Sequence, residues 1–194
     1  YNFKIVGAVD PYPSAGANRL KYEQNIKFYD SMDNFYKDNH ADLCIISTPI
    51  QFHKPQVICA LKNGSHVLCE KPGASSVRDV EAMISVQNET GKFAAIGFQF
   101  SFSDPILQLK QDIIDGVWGN PILLKSISLL PRPKSYFIGR SWSGKRWDDQ
   151  GNCITDNIAN NAAAHALHNM LFILGNEIGL SATPISCEAK LIRA

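Results

Sequence analysis

Short apolar runs alternate with amphipathic stretches along the first hundred residues. Asp42–Pro49 (DLCIISTP) and His66–Cys69 (HVLC) are largely apolar and too short for helices, so each is predicted as a buried strand. Lys4–Val9 and Phe93–Phe98 (FAAIGF) share this character, and the first ends at Asp10, with Pro11, Tyr12 and Pro13 closing it. Between the strands, His53–Asn63 carries Val57, Ile58 and Leu61 on one helical face and stops at Gly64. Ser75–Thr90 spaces Val77, Val80, Met83 and Ile84 as an amphipathic helix ending at Gly91. Helical stretches are also expected over Ala15–Gln24 and Met32–Asn39, a helix running on to Leu174 is stopped by Gly175, and Ile185–Arg193 reads as a long strand. Strands that alternate with helices and are apolar on both faces imply an α/β fold with a parallel sheet covered on both sides.

Two strand ends carry candidate chemistry. Lys71 follows the HVLC strand in a Glu-Lys-Pro tripeptide, and open α/β sheets bind ligands outside the carboxyl ends of their strands. Pro72 fixes its own φ and biases Lys71 toward an extended backbone. Asp10 ends the first strand, where a carboxylate can accept hydrogen bonds from adenosine ribose hydroxyls and repel a 2'-phosphate. An Asp before a turn is also ordinary turn chemistry.

The order AVDP, STPIQFH, GSHVLCEKP and GFQFSFSDP resembles the Gfo/Idh/MocA family of NAD(P)-dependent oxidoreductases through nearly the whole chain. The resemblance implies a Rossmann-like nucleotide-binding domain over residues 1–99. From residue 100 it implies the start of an α/β (α+β) substrate domain with a large open sheet, often a subunit interface, and so a homo-oligomer. It places Asp10, Ser47, Thr48, Pro49, His53, Glu70 and Lys71 along the cofactor, gives Lys71 contact with both substrate hydroxyl and cofactor, and puts Gln99 on the substrate face. NAD is favoured over NADP because of Asp10. Family members open with a strand and a G-x-G-x-x-G-like turn whose N–H groups hold the pyrophosphate. Here the sequence starts at what would be the second strand, with Tyr1 in place of a translation start, and stops inside the substrate domain. It therefore reads as the middle of a longer protein, both domains incomplete, with sheet edges expected to be unpaired.

His165 and His168 share a face of the later helix. In the family register His165 matches the histidine, Asn161 the acid four residues earlier, and His168 a later aspartate, so the chain departs at two of three places. Asn161 cannot ionise; it can orient His165 or a substrate hydroxyl but not accept its proton. Asp156 is the nearest acid and could replace it if the loop carries an insertion. Oxidising a CH–OH group needs a base on the hydroxyl proton, which suits His165 with its ordinary pKa of about 6.5. Lys71 then offsets the negative charge developing on that oxygen. Satisfied core histidines are the bland alternative, and a zinc site would need a third ligand that nothing at ligand spacing supplies.

Pro131–Gln150 interleaves cations and aromatics, which suits a nucleic-acid surface or a sugar site. A net charge of +1 leaves no broad footprint for a polyanion, so a substrate-lining or inter-subunit loop is preferred, with Tyr136, Arg140 and Trp142 as candidates. No run is long enough to span a bilayer. Five cysteines, three of them inside helix or strand patterns, suit a reducing cytoplasmic compartment, although any signal peptide would precede Tyr1. The expected activity is hydride transfer between NAD and a sugar, polyol or derivative. The alternatives are an NAD-dependent glycosidase of the same family and a non-catalytic sugar-binding or assembly protein on this scaffold.

Overall fold

The computed structural model describes residues 3–12, 26–190 and 192. The helix expected over Ala15–Gln24 lies outside the described residues. The chain forms two compact units, Tyr1–Gly97 with Arg146–Thr155, and Phe98–Lys145 with Asp156–Ala194.

In the first unit the strands are shorter than their apolar runs. β1 (Ala8–Val9) pairs in parallel with β2 (Phe28–Tyr29). β3 (Leu43–Ile46), β4 (His66–Cys69) and β5 (Ala94–Ile96) form a second parallel sheet in that order, with Leu43 opposite His66 and Val67 opposite Ala94. Among the described residues no strand joins the two sheets. Helix α1 (Met32–Asp38) is capped by Ser31, whose hydroxyl accepts from the Asn34 N–H at 3.3 Å. A 3-10 turn (Ile50–Phe52) leads into α2 (His53–Lys62), and α3 (Val77–Thr90) runs from the Ser76 cap to Gly91, whose φ of 66° is the left-handed stop that glycine accepts most readily.

The core of this unit lies where α2 and α3 meet one face of the second sheet. Val57, Ala60 and Leu61 pack with Ile46, Val67, Cys69, Met83 and Val86. Burial along β3 and β4 alternates: Ile46, Val67 and Cys69 are buried, whereas Leu43, Ile45 and Leu68 are exposed. The expected cover on both faces is thus present on one, because the described helices gather there; Ile45 is 68% exposed. Arg146–Thr155 adds buried Ile154 to the unit, and Ser75 donates to the Cys153 carbonyl at 2.6 Å.

The second unit is helical where it is regular. A 3-10 turn (Gln99–Phe102) is followed by α4 (Asp104–Ile114), the short α5 (Lys134–Ile138), a π turn (Ile158–Ala162) and α6 (Ala164–Ile173). α4 contacts α6, and fully buried Lys110 lies 3.8 Å above the Phe172 ring while donating to the Leu180 carbonyl. Burial lowers the pKa of Lys110. Two expectations are corrected here. The strand over Ile185–Arg193 is absent from its described residues, since no neighbouring segment supplies a ladder and Ile185 is fully exposed. The stretch Pro131–Gln150 is not all loop, because Lys134–Ile138 closes a helical turn after Pro133.

Candidate active site

Parallel strands send their carboxyl ends to one edge of a sheet, and most of the expected cofactor residues follow such ends. Asp10 follows β1; its N–H donates to Tyr29 O at 2.9 Å and its carboxylate accepts from the Tyr12 N–H at 2.8 Å. It is therefore a turn-forming carboxylate at the strand tip. Ser47, Thr48 and Pro49 follow β3, with Ser47 exposed and the Thr48 hydroxyl donating to Gln56 on α2 at 2.6 Å. Glu70 and Lys71 follow β4. The Glu70 N–H continues the ladder to Ile46 O at 2.8 Å, and the Glu70 side chain accepts from the Lys71 N–H at 3.2 Å. The Lys71–Pro72 peptide bond is cis, with Lys71 half-buried and Pro72 buried.

Gly97, just past β5, donates its N–H to Cys69 O at 2.7 Å, and a Cβ there would meet Cys69 O at 3.4 Å and Glu70 Cα at 3.5 Å, ordinary contact distances, so the ends of β4 and β5 lie side by side. The donor set fits a nicotinamide dinucleotide: an acid for a ribose diol after β1, hydroxyls and backbone after β3, and a cation after β4.

His53, expected along the cofactor, sits between two of these strand-end loops. Only 1% exposed, it turns into the unit, with Nδ1 2.8 Å from Pro72 O and Nε2 2.8 Å from Thr48 O. Its ring links the two strand-end loops.

In the second unit, α6 sets both histidines among aromatic rings. Phe98 stacks face to face on His168 at 4.1 Å, and Phe100 tilts over His165 at 4.3 Å. Burial lowers the pKa of His168, assisted by the nearby charges of His165 and Lys110. Two residues that sequence reasoning passed over complete this group: the buried Ser101 hydroxyl lies 2.7 Å from His168 Nδ1 and also contacts Asn169. The only signal was local, Asn169 following His168 and Ser101 lying within QFSFSDP.

Asn161 sits in the π turn before α6, not in a continuous helix, and donates to Asp156 at 2.8 Å. That carboxylate also accepts from the Gly144 N–H at 2.6 Å. An acid thus stands beside Asn161, five residues earlier than the family spacing provides. Arg140 lies 4.4 Å above Tyr136 and 5.6 Å from the Trp142 ring, so these three candidates form one cluster, joined by Arg132 at 5.0 Å from Tyr136. Gln99 is exposed at the head of its 3-10 turn. Among the described residues no three His, Cys, Asp or Glu side chains converge as a metal site would require.

Short parallel strands with an acid, a hydroxyl loop and a lysine at their carboxyl ends define a dinucleotide-binding α/β unit. Residues 1–98 match the family described as "Oxidoreductase family, NAD-binding Rossmann fold", and the chain belongs to this Gfo/Idh/MocA family. It is 34% identical over 118 residues to the 2,7-anhydro-N-acetylneuraminate hydratase of Escherichia coli, an alignment covering 61% of this chain and 31% of that protein. It is 29% identical over 105 residues to the inositol 2-dehydrogenase of Salmonella typhimurium, covering 54% and 31% respectively. The fold matches that of the WlbA dehydrogenase of Bordetella pertussis, solved in complex with NADH and UDP-GlcNAcA, with a TM-score of 0.71 at 22% identity over 89% of this chain and 49% of that one. The chain spans about a third of the length of these two curated relatives.

Proposed function

We propose that the chain is part of an NAD-dependent oxidoreductase acting on a CH–OH group of a sugar, polyol or derivative. The observation that carries this reading is the placement of Asp10, the Thr48 loop and Lys71 after the carboxyl ends of parallel strands. Asp10 holds the adenosine ribose, Ser47, Thr48, Pro49 and Glu70 line the cofactor, and Lys71 presents its charge to the reacting oxygen. The nicotinamide supplies the hydride acceptor. His165 takes the hydroxyl proton. Gln99, Asn161 and His168 hold the remaining hydroxyls, and the Tyr136–Arg140–Trp142 cluster lines the substrate. Homo-oligomeric assembly through the second unit and a reducing, cytoplasmic setting belong to the same reading; the cysteines present as free thiols suit that setting.

Lys71→Met tests the reading directly. With NAD and a panel of polyols and sugars, kcat should fall by about 10²–10³-fold, the usual loss on removing one group that stabilises a developing oxyanion, with thermal stability nearly unchanged. Unchanged turnover removes Lys71 from the chemistry. The kinship with a hydratase favours a second reading, in which oxidation is transient and the cofactor is regenerated, as in an NAD-dependent glycosidase. Accumulation of NADH with a free sugar selects the dehydrogenase, whereas cleavage of an aryl glycoside without it selects the glycosidase.

A further inference from the structure

His53 faces two backbone carbonyls, Pro72 O from Nδ1 and Thr48 O from Nε2, each at 2.8 Å. A carbonyl oxygen only accepts, and a neutral imidazole has one N–H and one bare nitrogen. Either neutral tautomer would leave a nitrogen lone pair pressed against a carbonyl oxygen at hydrogen-bond distance inside the protein, where the mismatch is costly. We propose that His53 is an imidazolium that donates to both carbonyls, a clamp that fixes the Thr48 loop to the Lys71–Pro72 turn and so positions Lys71. The role rests on the reading of Lys71 as the group that meets the reacting oxygen.

Charged groups lie on the ring's own helix and on the elements next to it. Its own helix α2 carries Lys54, which pairs with Asp79 of α3 at 2.6 Å, and the turn after β4 carries Glu70 and Lys71. The start of α2 and the burial of the ring both oppose a positive charge. What favours it is the pair of in-reach carbonyl oxygens, since charge-assisted hydrogen bonds are about twice as strong as neutral ones. The sequence consequence is specific: an apolar residue at position 53 would fill the volume, yet leave both carbonyls without a donor.

The deciding experiment is proton-detected two-bond nitrogen-15 NMR of the histidine rings in the intact protein at neutral pH, with His53 assigned by its loss in His53→Gln. The expected pattern is the one in which both ring nitrogens carry protons. A neutral pattern, with one pyridine-like nitrogen, overturns the proposal. The positioning role is read in the same variant: one amide cannot span both carbonyls, so kcat should drop by about 10²-fold, the scale for a misplacement of roughly 1 Å, with the substrate KM moving much less. An unchanged kcat in folded His53→Gln overturns it too. Failure of Lys71→Met to slow turnover would instead sink the reading of Lys71, and the NMR pattern of His53 would still be read independently of it.

Discussion

Asp10 is the residue at which the proposed preference for NAD over NADP is tested. One carboxylate oxygen is already committed to the Tyr12 N–H, which fixes the side chain at the end of β1. A fixed anion there accepts from a ribose diol and repels a 2'-phosphate, because like charges near a protein surface cost several kcal/mol at contact. Asp10→Ser should therefore shift the ratio of NADP to NAD affinity toward NADP by about tenfold or more, ~1.4 kcal/mol, as measured by parallel titrations of the two nucleotides. An unaltered ratio would place the ribose elsewhere. The place of this residue was legible in the sequence because it needs only an apolar run that ends in an acid before a turn. His53 was legible only as to its loop: its partners are backbone carbonyls of residues five before and nineteen after it, and side-chain identity carries no record of them. Ser101 was hidden for the same reason, its partner lying 67 residues away.

Elements follow the same division between local and distant causes. β3, β4, α2 and α3 formed where expected because each is written locally, by apolar runs, by Ser76 as a cap and by Gly91 as a stop. α4 was not foreseen although Asp104–Pro105 followed by Ile106, Leu107, Lys110 and Ile113 is a start signal with helical spacing; the lysine in the apolar stripe masks it, and only contact with Phe172 and Leu180 makes that lysine a core residue. The described residues of Ile185–Arg193 failed in the opposite direction, since a strand is real only with a partner. At the junction of α2 and α3, Lys54 bonds the Asp79 carboxylate, which also accepts from the Ser76 hydroxyl at 2.8 Å. The Lys54 bond is the main reason that the Asp79 pKa is lowered. Lys54→Met should cost about 0.5–1 kcal/mol in urea unfolding, as expected of a largely solvated pair, and should reduce the loss of stability as pH falls toward the Asp79 titration. Equal acid sensitivity in the two proteins would show that the pair contributes nothing.

For the whole molecule, the shifted groups together dictate how stability varies with pH. Asp79 is held below its ordinary value of 3.8, so its contribution is complete above that value and lost as pH falls through the folded one. His168 is likewise lowered from 6.5, first by burial; the unfolded chain binds the proton more readily, and stability falls as pH drops through the window beneath 6.5. On the alkaline side the sign reverses. Burial raises the Cys69 thiol from 9.0 to about 12, and burial raises the Tyr36 hydroxyl from 10.0 to about 12 despite its 2.8 Å bond to Ser65. Between the ordinary and raised values the unfolded chain has released protons that the folded one keeps, so stability falls as pH climbs past about 9. Lys110 acts against this fall, because burial lowers its pKa and deprotonation toward 10.5 relieves a buried charge. Burial raises the Cys44 and Cys59 thiols as well, so four acids against one base leave a net alkaline decline, and the stability maximum lies between the His168 and Cys69 windows. Urea unfolding from roughly pH 4 to pH 10 should trace that dome. His168→Gln should flatten its slope just below neutrality, and Tyr36→Phe with Cys69→Ala should flatten its alkaline limb. An alkaline limb unchanged in the double variant would mean that these two buried acids titrate in the folded protein as they do in the unfolded chain.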